Sequence, residues 1–355
     1  MIRSSALVLL LVGCSVQQTP ISPVRATATV PNDPDDPAIW LPASDPSKAL
    51  ILTTDKMAGT GGLYVFGLDG ALRHRIGPLD RPNNVDVEYG ARIGGELVDI
   101  AVVTERKQNR LRVFTIAADG SAIRDVAPRG VPVLQGQMGE AGEPMGIALY
   151  KRPSDGAVFA IVSPKTGGTS NYLWQYRLEE QQGGVTGRLV RRFGAFSRRG
   201  PMAGEIGEIE ALVVDDPLGY VYYSDERFGI RKWHADPDHA DAATELAVLG
   251  RGAYQGDREG LAIYQRADGG GFLVSSDQMP GATRLMIYSR TGQPGRPHDQ
   301  PLIRAVSTQA DSTDGLDVTA TVLPGFPDGL LVMMNSGPRN FLMYSWSSVA
   351  ARLKD

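Results

Sequence analysis

With 42 glycines and 24 prolines in 355 residues, the chain is too rich in turn residues for a helical bundle, and at 42% apolar it has ample material for a core. Thirty-six basic against 40 acidic residues give a net charge of −4, which excludes a global basic field for nucleic acid. One cysteine excludes a disulfide framework and any cysteine-held zinc or iron–sulfur site, and the histidines His74, His234, His239 and His298 are scattered along the sequence, so a metal is expected to be held by oxygen.

Residues 1–14 read as an address and not as part of the fold. Arg3 supplies a positive start, Ala6 to Val12 a short apolar run, and Leu11-Val12-Gly13-Cys14 closes it with small residues before the lone cysteine. The pattern resembles a bacterial lipoprotein signal with Cys14 as the lipidated residue; the alternative is an ordinary secretory signal. The apolar run falls well short of the roughly 20 residues that span a bilayer. Residues 15–29 read as a tether and residues 30–355 as one domain. The protein is therefore expected to be exported and held at a bacterial cell membrane by lipid alone, or else to be periplasmic or secreted.

From residue 30 the pattern is short apolar strands separated by glycine, proline and aspartate turns. First strands are expected around Ala38, Val85, Ile147, Leu212, Leu261 and Leu316, each followed by a second strand and a third with an aromatic residue. The unit recurs about every 55 residues, near the kelch-like spacing of a four-stranded propeller blade. The expectation is an all-β, six-bladed propeller of four-stranded antiparallel blades, with an N-terminal segment near Ala26 to Val30 closing the ring; a long β-sandwich or β-helix is the alternative. Trp40, Trp174, Trp233 and Trp346 fall in strand patterns and read as inter-blade packing.

In such a ring the starts of the first strands and the ends of the second share one mouth. Before the first strands stand Asp35 and Asp36, Asn83, Glu210 with Glu208 nearby, Glu259 with Asp257, and Asp314; after the second strands stand Asp55 and Lys56, Glu105 and Arg106, Lys165, Asp225 and Glu226, and Asp277. Blades one to three thus offer cations and blades four to six carboxylates. Crowded carboxylates need a counter-charge, and without histidine or cysteine among them a hard, oxygen-ligated cation such as Ca2+ suits them, several ions being expected. Lys and Arg in an arc suit a polyanion, phosphate above all. Metal-assisted phosphoester hydrolysis is the chemistry such a mouth favours. No nucleophile elbow or Walker loop is present.

Asp35 to Trp40 (DDPAIW) and Asn83 to Tyr89 (NNVDVEY) resemble the two signature segments of the β-propeller phytases, calcium-dependent hydrolases of inositol hexakisphosphate. Similar stretches follow in order: TTDK ending at Lys56, VDIAVVTER ending at Arg106, MGIALY from Met145, REGLAIY from Arg258 and STDGLDV from Ser312. The resemblance implies a 3-phytase that releases inorganic phosphate through direct attack of a metal-activated water. It implies catalytic roles for Lys56, Arg106, Lys165, Glu210 and Glu226, with Lys56, Arg106 and Lys165 gripping substrate phosphates. It also implies Ca2+ ligation by Asp35, Asp36, Glu210, Glu226, Asp257, Glu259 and Asp314. Departures stand at Met145, where the family often has tyrosine, at Thr166, where an acid is expected, and at Asn32, with Asp33 displaced by one. The partner is expected to be a small inositol phosphate, with no nucleic acid and no membrane contact beyond the lipid, and the protein a monomer. A propeller lactonase-type metal hydrolase and a non-catalytic anion- or protein-binding propeller are the other readings.

Overall fold

The computed structural model describes residues 19–181, 184–197 and 207–354, and the lipidation expected at Cys14 lies outside them. Six antiparallel sheets, each with four strands in its main order, form six blades. Blade one is Pro34–Trp40, Leu50–Asp55, Gly61–Gly67 and Leu72–Leu79, and blade two Pro82–Ile93, Glu96–Glu105, Arg110–Ile116 and Val131–Pro132, with Ile123–Asp125 beside its third strand. Blade three is Pro144–Lys151, Val158–Pro164, Ser170–Gln181 and Gly184–Ala195, and blade four Leu212–Asp215, Tyr220–Asp225, Gly229–His234 and Ala247–Leu249. Blade five is Leu261–Gln265, Gly271–Asp277, Arg284–Ser289 and Leu302–Ser307. Blade six contributes Leu316–Thr319, Leu330–Asn335 and Asn340–Ser345, and Arg25–Ala26 supplies its outer strand by pairing with Met343 and Leu342. The chain is a six-bladed β-propeller closed by its own N-terminal segment.

The core is not one cluster but six, one between each pair of neighbouring blades, because successive side chains of a strand face opposite ways. On the second strand of blade one, Leu50 and Leu52 join Val85, Ala101 and Phe114 of blade two, while Ile51 joins Val332, Phe341 and Met343 of blade six. The strand is covered on both faces, so Leu50–Asp55 is buried along its whole length. Trp40, Trp174 and Trp233 fill the layers between blades one and two, two and three, and three and four. Trp346 also packs between blades, but as the first residue of the helix Trp346–Lys354 and not in a strand; its ring stacks 4.0 Å from that of Tyr264.

Part of the segment expected to be a tether, residues 15–29, is packed on the propeller. Ile21 is buried between blades five and six, where its N–H donates to the Ser307 carbonyl, because blade six has only three strands of its own and the N-terminal segment must reach it. The histidines are not scattered in space either. The ring brings His234 and His298 against Tyr220, with His239 stacked on His234. The axial channel is nearly filled: between Asp36, Asn84, Asp86, Glu259 and Asp317 there remains a cavity of about 50 Å3. Close approach of the first strands explains Gly146 and Gly315, where a Cβ would lie 2.0 Å from the Glu210 carbonyl oxygen and 2.3 Å from Asp36 Oδ1.

Candidate active site

The mouth is built from a six-fold backbone repeat. The N–H of the residue just past each second strand donates to a carbonyl on the segment leading into the first: Lys56 to Asp33, Arg106 to Arg81, Lys165 to Glu143, Glu226 to Glu208, Gln278 to Asp257 and Ser336 to Asp311, at 2.8 to 3.2 Å. These bonds align the positions that carry the chemistry. Two residues after the acceptor carbonyl, or three in blade six, stands an inner ring of Asp35, Asn83, Met145, Glu210, Glu259 and Asp314. An outer ring of Lys56, Arg106, Lys165, Glu226, Gln278 and Ser336 surrounds it.

Strand alternation splits the acids after the second strands into two sets. Asp55, Glu105, Asp225 and Asp277 are buried and turn away from the mouth. Each fixes the loop that leads into its blade: Asp55 Oδ1 accepts the Asp33 N–H at 3.0 Å, Glu105 Oε1 that of Asp80 at 2.9 Å, Asp225 Oδ2 that of Ser197 at 2.8 Å and Asp277 Oδ1 that of Gly256 at 2.7 Å. Three of them are further paired with an arginine on the third strand, Arg110, Arg231 and Arg284. These four acids, counted with the mouth from sequence, are loop anchors. Asn32 serves the same anchor, its Nδ2 donating to Asp55 Oδ2 at 2.9 Å.

Cations and carboxylates interleave at the mouth. Lys56 Nζ lies 2.7 Å from Asp35 Oδ1 and 2.6 Å from Asp314 Oδ2, joining blade one to blade six across the ring closure. Lys165 pairs with Glu208 between blades three and four. Arg106 donates to Asn83 Oδ1 and to Glu143 Oε2, each at 3.1 Å, and Lys107 pairs with the other oxygen of Glu143. The Asn83 amide nitrogen donates to Asp35 Oδ2 at 2.9 Å and to Glu210. Gln278 Nε2 donates to Asp314 Oδ1 at 2.6 Å. Glu208, Glu210 and Glu226 each offer an oxygen, all within 4.8 Å of one another, and Glu226 Oε2 also accepts the Glu208 N–H at 2.7 Å.

Of the residues expected from sequence, Asp35, Lys56, Arg106, Lys165, Glu210, Glu226, Glu259 and Asp314 thus sit in the two rings. Asp257 stands at the edge, its carboxylate 2.5 Å from Arg227 Nη1. Asp36 lies one step down the first strand inside the channel, where its Oδ2 accepts the Val85 N–H at 3.0 Å. Met145 occupies the blade-three place of the inner ring and is buried. Glu143 and Gln278 were not legible from motifs, and Asn83 and Glu208 were placed at the mouth without a role. The backbone register identifies all four: Glu143 and Glu208 accept from Lys165 and Glu226, Asn83 stands two residues past the Arg81 carbonyl, and Gln278 is the blade-five donor.

The electrostatics are set by burial. It pushes Asp35 and Glu259 well above the ordinary carboxylate range and raises Glu210; it brings Glu226 up to about 8, with Glu210 and Glu208 as the next causes. Burial opposes the charge on Lys56 as well, yet Asp35, Asp314 and Glu210 hold its ammonium above its ordinary value. The donor set is carboxylate and amide oxygen only, clustered and short of positive charge. It fits a hard divalent cation, and Ca2+ with its high and flexible coordination better than a transition metal.

The comparisons agree with this geometry. A 3-phytase of Bacillus subtilis is 29% identical over 349 residues, 93% of this chain and 85% of the relative. A solved protein from Lactobacillus plantarum shares the fold at a TM-score of 0.51 and 17% identity, over 87% of this chain and 80% of that one. The family described as Phytase matches residues 13–355, and the chain belongs to the phytase family.

Proposed function

We propose that the protein is a calcium-dependent phytase that releases inorganic phosphate from myo-inositol hexakisphosphate by direct attack of water at phosphorus. The observation that carries this reading is a mouth where Lys56, Arg106 and Lys165 stand on three consecutive blades and the acids Glu210, Glu259, Asp314 and Asp35 on the next three and the first. The three cations hold substrate phosphates at fixed spacing, and their present carboxylate partners give way to phosphate oxygens of higher charge. Glu208, Glu210, Glu226, Glu259, Asp314 and Asp35 hold calcium or its waters. Calcium supplies Lewis acidity and charge neutralisation on the transferring phosphoryl group. Asn83 orients Asp35, Glu210 and Arg106 relative to one another.

The Bacillus subtilis relative's name supports first cleavage at the 3-position, and the segment ending at Cys14 supports export with a lipid anchor. Phosphate release from inositol hexakisphosphate by protein lacking residues 1–14, with calcium and with excess chelator, tests the reaction. Calcium-dependent release is expected, with loss in Lys56→Ala and Glu210→Ala; release unaffected by chelator rejects the metal's part, and phosphorus NMR of the first product reports the position.

A further inference from the structure

The third strand of blade four begins beside the mouth and ends at His234, on the opposite side of the ring. The loop that follows returns over this end. His239 stacks on His234 with ring centroids 3.5 Å apart and planes 14° from parallel, and His234, His239 and Asp241 each offer a donor atom, all within 4.8 Å of one another. The chain has only four histidines, so two in face-to-face contact beside a carboxylate are not what composition would place there. The arrangement is held from outside. Arg191 of blade three donates to the carbonyls of Ala242 at 2.8 Å and His234 at 2.6 Å, and Arg152 pairs with Asp236 and Asp238 at 3.2 and 2.5 Å.

We propose that His234, His239 and Asp241 form a second metal site, for a divalent transition-metal ion of the zinc class, which ties this loop to the strand it follows. Two imidazoles and one carboxylate make a borderline nitrogen–oxygen donor set that prefers zinc, nickel or copper to calcium, unlike the all-oxygen mouth. In a stack 3.5 Å deep and 14° from parallel the in-plane lone pairs of the two rings cannot meet at one ion, so the exposed His239 ring has to turn out of the stack for the three donor atoms, already within 4.8 Å of one another, to close on a tetrahedral ion. The Asp241 N–H donates to His239 Nδ1 at 3.0 Å, which puts the ring proton on Nε2 and leaves the Nδ1 lone pair on the Asp241 side. Coordination through Nδ1 exchanges one exposed hydrogen bond for the metal bond.

The test is zinc chloride titrated calorimetrically into the full, calcium-saturated protein without a histidine tag, with cobalt(II) absorption as a second readout. One zinc per chain is expected, weakened at least about tenfold in His239→Ala and in Asp241→Asn and unchanged in His74→Ala. Cobalt should give visible bands of nitrogen ligation that the first two variants lose. His239 and Asp241 are exposed, so both variants should fold. Absence of saturable binding up to about 100 μM zinc, or equal affinity in His239→Ala, would overturn the proposal.

Discussion

Removing the Lys56 ammonium should destabilise the calcium-free protein far more than the calcium-bound one. Lys56 is the only cation whose amine meets inner-ring carboxylates among the described residues, at 2.7 Å from Asp35 and 2.6 Å from Asp314. Losing one partner of a fully buried pair costs about 3–5 kcal/mol, because the other charge stays buried. Asp35 is only 1% exposed, but the side chains of Lys56 and Asp314 are 20% and 22% exposed, so solvent screens part of the loss and about 2–3 kcal/mol is the expected cost of Lys56→Ala in excess chelator. In saturating calcium a divalent ion among the same carboxylates replaces the missing charge, leaving about 1 kcal/mol for the lost aliphatic stem. Urea denaturation of both proteins with and without calcium measures the two differences directly. Equal destabilisation in both conditions would refute the reasoning, since Lys56 would then act by packing and not as a counter-ion. Activity toward phytate should fall roughly 100-fold in the same variant, by loss of a phosphate contact.

Glu143 competes with substrate for Arg106 and Lys107, so Glu143→Gln should lower KM for phytate about two- to fivefold with kcat little changed; a raised KM would mean that Glu143 positions Arg106 instead. Asp277 and Gln278 are neighbours with opposite orientations. Asp277→Ala strips the anchor from the Gln255 and Gly256 N–H groups and from Arg284 and should cost about 2–4 kcal/mol with kcat of the folded fraction preserved, whereas Gln278→Ala should spare stability and reduce turnover. Below the mouth, burial pushes Asp86 and Glu88 up to about 8, Asp216 to about 7 and Asp317 to about 6. The folded chain then keeps protons that the unfolded chain releases above about pH 4, so stability without metal should fall as pH rises from about 4 to 8, Asp317 alone accounting for up to ~3 kcal/mol. Denaturation midpoints in chelator at acidic and alkaline pH check the sign, and a higher midpoint at alkaline pH would contradict it.

The fold was legible because a propeller repeats its own grammar. Each second strand holds a short unbroken apolar run, such as residues 330–334 of Leu330–Asn335, and each third strand carries an aromatic residue, so period and order survive without alignment. Of the outer strands, only the N-terminal segment that closes the ring was legible. Leu72–Leu79 and Leu302–Ser307 lie at the outer edge with mixed exposure, and a strand with one wet face has no apolar run to announce it. The mouth was legible as a set of positions but not as a set of directions: Asp55 and Lys56 are adjacent in sequence, and only the alternation of the strand sends one to a loop and the other to the centre. The histidine pair was missed because loop geometry, and not spacing, brings His239 back over His234.

The two rings explain how one frame tolerates so adverse a cluster of charges. Inner-ring acids occupy blades four, five, six and one, while outer-ring cations occupy blades one, two and three, so the arcs overlap only at blade one, where Lys56 and Asp35 form their ion pair. At the other junction, between blades three and four, Lys165 meets Glu208. Met145 and Asn83 keep the inner ring uncharged in blades two and three, and the outer cations there pair instead with Glu143 and Glu208 on the loops that lead into the first strands. An acid at position 145 would extend the metal-binding arc toward Lys165 and shorten the phosphate-binding one. The backbone bonds recur in all six blades, whether a blade displays a cation or an acid, and acidic loop anchors recur in blades one, two, four and five. The backbone frame is therefore common to all six blades, and on the proposed reading the balance between metal and phosphate recognition rests on side chains at a few aligned positions.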